Sequence, residues 1–301
     1  MALLLSADFH LRKTRPKSRI DNFFESQERK IRYIFQLAQD NNCPLVIAGD
    51  FFELARPGEF LNQWIINLIG EYSIQIFVTP GQHDIPNHNL ALINDSGLGV
   101  LAAAGAITLL TDPNKPIIVG KYVIFGCPFG TDPNSIVFKK GINDKIKVLV
   151  WHHMTILEPL WEEQYADKAG KLLRLFPQFD LIVTGDNHQS FTYDRKDKWL
   201  INPGSVMRKA ADQIEHQPSV YSYNEGVVER LYLPIEDEVF NVSHIKLAKE
   251  KEARYGDFIA KLHTGFKIGI DLNHNFVSFF KENQVRKSVE NLVWECIPDD
   301  K

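Results

Sequence analysis

Cysteine is scarce in this chain. Its 301 residues hold only three, Cys43, Cys127 and Cys296, far apart and with no C-x-x-C pair. That spacing excludes a disulfide framework and a cysteine-based zinc or redox motif, so reduced structural thiols in an intracellular protein are expected. Long apolar runs are also missing, which argues against a membrane span. The opening MALLLSADFHL has no basic region and is interrupted by Asp8, so it reads as a first buried strand and not as a signal peptide. Neither sign of charge dominates: 34 Lys and Arg stand against 38 Asp and Glu, a net charge of −4. There is therefore no global electrostatic case for nucleic-acid binding. Repeats and low-complexity tracts are absent too, which leaves an ordinary globular chain.

What is present is a core. Hydrophobic residues make up 44% of the sequence, enough for one large domain with a smaller appendage. Short apolar runs recur with helical patterns between them: ALLLSA, PLVIAGD, IQIFVTPG, YVIFGCP, KVLVWHH and DLIVTGD. Between Asp21 and Asp40, Phe24, Ile31, Ile34, Phe35 and Ala38 share one helical face. Phe60, Leu61, Trp64, Ile65, Leu68 and Ile69 repeat with the same spacing. After Gly185 the texture turns to β-like stretches, FTYDR, KWLIN, SVYSYN and VVERLYL, separated by turns such as Asn224-Glu225-Gly226. The class is an α/β sandwich. Residues 1–235 read as the main domain. Residues 236–301 read as a small helical C-terminal appendage, with one apolar face at Tyr255, Phe258, Ile259 and Leu262 and another at Val285, Val289, Leu292, Val293 and Ile297.

The chemistry-bearing residues fall where buried strands run out. Asp8 and His10 follow the first strand, Asp50 follows PLVIAG, His83 and Asp84 follow IQIFVTPGQ, His152 ends KVLVW, and His188 follows DLIVTGDN. A single Asp or His at a strand end is usually a cap or a satisfied core residue. Five such coincidences point instead to one site, because the carboxyl ends of strands in an open sheet gather along one edge. Asp8 and His10, one residue apart, can reach one ion from the same side of an extended segment. Imidazole and carboxylate ligands suit manganese, iron, zinc or magnesium. Directly after the first of these clusters come Arg12, Lys13, Arg15, Lys17 and Arg19, a basic run whose position favours phosphate contact over a merely solvated loop.

The order SADFH, GDFFE, GQHD, WHH, GDNH resembles the signature of the calcineurin-like metallophosphoesterase family over about residues 5 to 205. The continuation LINPGSVMR resembles that family's DNA-repair branch, which contains the SbcD nuclease. The resemblance implies a four-layer α/β/β/α sandwich and two divalent ions. Asp8, His10 and His188 would hold the first ion, Asp50 would lie between the two, and His152 would hold the second. His83 would sit over the scissile phosphate as a catalytic residue, with Asp84 orienting its ring. The nucleophile would be a hydroxide and not a side chain. Glu53 is expected to make a structural hydrogen bond, and His153 to support the second ion indirectly. Two positions depart from the pattern: Gln82 replaces an asparagine, and Asp186 replaces the first histidine of the last motif. If both coordinate, the second site is rich in oxygen and prefers manganese, with magnesium next, over zinc. If they do not, that site is weak or empty.

The expected function is a metal-dependent DNA nuclease of the SbcD type, with Arg12, Lys13, Arg15 and Arg208 on the substrate. The branch resemblance further implies a coiled-coil ATPase partner of the SbcC type docking on the appendage, a homodimer, and a cytoplasmic setting in a bacterium or a phage-infected cell. Two alternatives stand beside it. One is a phosphodiesterase or phosphatase of a small nucleotide or a phosphoprotein, since the same core serves many substrates. The other is a non-catalytic scaffold with an impaired second metal site.

Overall fold

A computed structural model describes residues 1–138, 141–158, 166–210, 213–241 and 272–296. In chain order the elements are β1 (Leu3–Ser6), α1 (Phe23–Asp40), β2 (Leu45–Ala48), α2 (Glu59–Gly70), β3 (Ile76–Thr79), α3 (Gly97–Ala103), β4 (Thr108–Leu109), β5 (Ile117–Val119), β6 (Tyr122–Cys127), β7 (Ile146–His152), β8 (Thr155–Ile156), β9 (Asp167–Lys168), α4 (Ala169–Leu175), β10 (Leu181–Gly185), β11 (Phe191–Arg195), β12 (Lys198–Asn202), β13 (Ser219–Asn224), β14 (Val227–Tyr232), α5 (Leu272–Glu282) and α6 (Lys287–Cys296). The chain divides into two compact units, Met1–Asn241 and Val242–Lys301.

The first unit is a sandwich of two six-stranded sheets, ordered β14-β13-β1-β2-β3-β4 and β11-β12-β10-β7-β6-β5. In each sheet the central strands run parallel, and antiparallel strands close an edge. The two-residue period of a strand then sorts the side chains into layers. Leu3 and Leu5 point between the sheets, where they meet Val148, Val150, Leu181 and Val183. Leu4, Leu45 and Ile47 point outward, under Ile31, Ile34 and Phe35 of α1 and Leu61, Ile65 and Leu68 of α2. On the far side Phe125, Leu149 and Ile182 pack against Leu172 and Leu173 of α4. Three apolar interfaces thus separate four layers, α/β/β/α. Each fully buried Leu, Ile or Phe in them contributes roughly 1.5–3 kcal/mol relative to exposure.

The helical faces differ in detail from their sequence reading. Phe23, not Phe24, is the buried phenylalanine at the start of α1. Phe24 instead lies half-buried against Trp64, ring centroids 4.9 Å apart, and Phe60 is 48% exposed. Cys43 and Cys127 are buried free thiols. Among the described residues no helix is long and apolar enough to cross a membrane.

Part of the basic run is structural. Arg19 is 1% exposed; its guanidinium forks onto Asp21 at 2.7 and 2.6 Å and donates to Arg208 O at 2.6 Å. Arg208, expected at the substrate, is likewise buried and donates to the carbonyls of Ile214 and Glu236. The side chains of both arginines lie against Phe240. Lys30 completes the cluster on Glu236 at 3.2 Å. Arg19 has all three of its guanidinium nitrogens bonded and Arg208 both of its terminal ones, so these arginines are committed to packing.

In the second unit, Phe276 and Phe280 of α5 lie 5.9 Å from Trp294 of α6. On the expected apolar face, Val289 is 46% and Leu292 59% exposed. The expected face at residues 255–262 and Ile297 lie outside the described residues.

Candidate metal centre

The site forms at the carboxyl ends of β1, β2 and β3 in one sheet and β7 and β10 in the other. The backbone turns abruptly there. Asp8, His10, Asp50 and Asp186 all adopt left-handed conformations, with φ of 50°, 47°, 49° and 78°. Asp and His tolerate this region better than bulkier residues, and such strain is stored where the surrounding structure fixes it. Those turns aim the side chains inward. Asp8, His10, Asp50 and His152 are each 2% exposed or less.

Three sets of side chains bring potential ligand atoms within 4.8 Å of one another: Asp8, His10 and His188; His10, Asp50 and His83; and Asp8, Asp50 and His152. The Nε2 atoms of His10 and His188 are 3.1 Å apart. Two nitrogens each about 2.1 Å from one ion stand roughly 3.0–3.4 Å apart for angles between octahedral and tetrahedral, so this spacing fits a shared cation. Asp50 Oδ2 lies 3.7 Å from His10 Nε2 and 3.6 Å from His152 Nε2, between the two imidazoles. Asp8 Oδ2, Asp50 Oδ2, His152 Nε2 and Gln82 Oε1 are buried with no hydrogen-bond partner. An orphaned buried polar atom costs about 1–3 kcal/mol, so the convergence of the Asp8, Asp50 and His152 atoms fits a cation.

Hydrogen bonds around the cluster set the ligands. His152 Nδ1 donates to Ala48 O at 2.7 Å, which turns Nε2 towards Asp50. Glu53 stands behind His10, its Oε2 3.3 Å from Nδ1, and accepts from Lys209 at 2.9 Å and Arg12 at 3.2 Å. Asn202, the last residue of β12, donates to the carbonyls of Asn187 and Gln189 and so holds the loop that carries His188. Burial, reinforced by His10 and Lys209, depresses His188 to a pKa of about 3 and keeps its imidazole neutral. For His152 burial also opposes charge, but Asp50 and Asp8 outweigh it and raise the pKa to about 10. Burial pushes the Asp8 carboxyl well above its ordinary range. Asp50 goes the other way: despite burial, His152 and His10 hold it well below. Half-burial of Glu53 is overcome by His10 and Lys209, giving about 2.

The remaining expected residues divide. His83 is 42% exposed, with Nε2 4.0 Å from Asp50 Oδ2 and its main-chain N–H donating to Asp50 Oδ1. Its orienting partner is corrected. Asp84 does not touch the ring; its carboxylate is filled by the N–H groups of Phe51, Phe52 and Gly81. Glu53 O takes the His83 Nδ1 proton at 3.0 Å instead. Asp186 Oδ1 accepts from Gln82 Nε2 at 2.6 Å, and its N–H donates to Asp8 Oδ1. This bond turns Gln82 Oε1 into the free atom of the pair. Arg12 reaches the centre through Glu53, whereas Lys13 lies over the Phe60 ring and Arg15 donates to Ile20 O. His153 stacks on Trp151 and meets Asp167 at 3.0 Å. Lys209 reaches the site through the same carboxylate as Arg12, its Nζ 2.9 Å from Glu53 Oε2.

Gly49 is required by contact. At φ +87° a Cβ there would fall inside the His152 ring. Gly49→Ala should therefore cost more than about 1 kcal/mol of stability and weaken metal retention by roughly 10- to 100-fold through the displaced imidazole. Thermal unfolding and metal titration measure the two effects. An unchanged metal affinity would show that His152 is not a ligand.

Two cavities adjoin the centre. One, of about 690 Å³, lies beside Asn187 and His188; the other, of about 860 Å³, lies beside His152 and Asp186. Met154 lines both.

Two parallel-centred sheets under flanking helices, with carboxylates and imidazoles at their facing strand ends, constitute the metallophosphoesterase sandwich. No protein-family model and no curated protein sequence matches the chain. Solved structures do. The TT1561 protein of Thermus thermophilus aligns with 77% of this chain and 98% of its own at 11% identity and a TM-score of 0.50. An archaeal phosphodiesterase aligns over 77% and 100% (13% identity, TM-score 0.43), and a phosphopantetheinyl hydrolase from Mycobacterium tuberculosis over 76% and 95% (13%, 0.44). At these identities the likeness is one of fold.

Proposed function

We propose that this protein is a metal-dependent phosphodiesterase whose substrate is DNA. The observation that carries the reading is the convergence of orphaned, buried carboxylate and imidazole atoms from both sheets. Asp8, His10 and His188 hold one divalent ion, His152 and Gln82 Oε1 hold a second, and Asp50 lies between. When bound, such ions neutralise phosphate charge and acidify a water, and the oxygen content of the second set favours manganese or magnesium. The protein's own residues do the rest. Glu53 and Ala48 O fix the faces of His10 and His152. His83, with Nδ1 tied to Glu53 O, keeps Nε2 free to pass a proton to the leaving oxygen. Arg12 and Lys209 add positive charge at the margin of the site. DNA is favoured over a monoester because a diester carries two organic groups, and two cavities adjoin the centre.

The test loads the protein with manganese, magnesium or zinc and supplies bis(p-nitrophenyl) phosphate, single-stranded DNA and duplex DNA. Manganese-dependent cleavage of DNA and of the small diester, lost with EDTA and restored by manganese, is expected. Hydrolysis of the small diester with DNA left intact would refute the DNA assignment. Failure on every diester would refute the phosphodiesterase.

A further inference from the structure

The cavity beside His188 ends on a cation that the chemistry above does not use. Arg230 lies on β14, paired in register with Tyr221 of β13, and its guanidinium is held in place. Nε donates to Ser219 Oγ at 2.9 Å and Nη2 to Gln217 O at 3.3 Å. The guanidinium carbon sits 4.8 Å from the Tyr232 ring centre. Among the described residues Nη1 has no hydrogen-bond partner, and no carboxylate lies within ion-pair distance of Arg230. The acidic residues on the same wall do not neutralise it: Glu158 is paired with Lys168 at 2.6 Å, and Glu215 is exposed. An arginine with matched donors on one edge and an open edge towards a cavity is prepared for an anion with a planar pair of acceptors.

That cavity begins at the metal centre. His188, a candidate ligand of the first ion, and Arg230 line the same space, whose volume of about 690 Å³ falls within the range that encloses a small ligand. A substrate bound through its scissile phosphate therefore continues past His188 towards Arg230. Phe191 and Met154 give this passage apolar surface, and the Tyr232 ring, 56% exposed, offers a face for stacking.

We infer that Arg230 determines specificity by receiving a second phosphate, the one next to the scissile linkage in a nucleic-acid strand. The inference rests on the phosphodiesterase reading and names its substrate class: strands with at least two linkages are preferred over isolated diesters. Fixing the guanidinium beforehand against Ser219, Gln217 and Tyr232 reduces the ordering cost of that contact.

The experiment compares octathymidylate with bis(p-nitrophenyl) phosphate, which has no neighbouring phosphate, for the wild type, Arg230→Ala and Arg230→Lys. For Arg230→Ala the ratio of kcat/KM on the strand to kcat/KM on the small diester should fall about tenfold, through KM. The salt dependence of strand binding should become shallower by about one counterion. Arg230→Lys keeps the charge without the fork, so it should retain the salt slope and recover the ratio only in part. An unchanged ratio in Arg230→Ala, or full rescue by lysine, would overturn the inference. If the wild type hydrolyses neither substrate, the phosphodiesterase reading fails separately. Fluorescence anisotropy with octathymidylate then decides the Arg230 contact alone: a tenfold weaker Kd in Arg230→Ala supports it, and an equal Kd refutes it.

Discussion

His83→Ala should lower kcat on a phosphodiester by roughly 10²- to 10⁴-fold, the contribution expected of a positioned proton donor, while leaving the bound metal unchanged. The expectation follows from exposure and restraint. His83 is the most exposed imidazole of the cluster, at 42%, and its Nδ1 is fixed by Glu53 O. With that nitrogen carrying the hydrogen, only Nε2 remains to exchange a proton with the substrate. The competing assignment is metal binding, because His83 also falls within ligand distance of His10 and Asp50. Metal content by mass spectrometry separates the two. A variant that loses an ion together with activity would make His83 a ligand and remove its catalytic assignment. A substrate with an activated leaving group sharpens the contrast. p-Nitrophenolate departs without protonation, so the loss should be smaller on bis(p-nitrophenyl) phosphate than on DNA.

Asp21→Asn is the substitution with the largest expected effect on stability, about 3 kcal/mol or more. Arg19 is 1% exposed and its fork rests on the two carboxylate oxygens of Asp21. Removing one partner of such a pair strands a buried charge, which costs about 3–5 kcal/mol. Urea unfolding measures it, and a change below about 1 kcal/mol would mean that Arg19 finds another acceptor. The pair also has a pH signature. Partial burial of Asp21 works against its charge, but the Arg19 fork and the Ser26 hydroxyl outweigh it and hold the carboxyl below its ordinary value. A depressed folded-state pKa gives stability that is complete above the unfolded carboxylate pKa and lost as pH falls through the folded one. The wild type should therefore lose its advantage over Asp21→Asn on acidification below about pH 4.

Strand ends and chemistry were legible together because they share one cause. A parallel strand buried on both faces is a continuous apolar run, and the first polar residue after it marks the edge where a site can form. KVLVWHH and DLIVTGDNH announce both. Elements without that contrast were not visible: β4 has two residues, and α3 and α4 have seven each. In α5, Phe276, Phe279 and Phe280 have helical spacing that was readable and went unused. The basic run misled for a different reason. Composition cannot show that Arg19 turns inward to Asp21 and Arg208 O, because the second partner is 189 residues away. Asp84 misled similarly, since nothing local shows that three main-chain N–H groups will fill its carboxylate before His83 reaches it. Asn202, at the end of β12, was informative as a marker of resemblance, but its work is mechanical: it ties down the His188 loop.

The candidate ligands come from two separate sheets, joined at this end by His152 on Ala48 O, Gln82 on Asp186, and Asp186 on Asp8. The apolar layer between the sheets is therefore a spacer. Its thickness sets how far apart the jaws of a caliper stand, and the gap being measured is the one between the candidate ligands of the two sheets. A methyl group added or removed at Val46, Val150 or Val183, residues buried between the sheets, alters the instrument's calibration without removing any side chain of the candidate site.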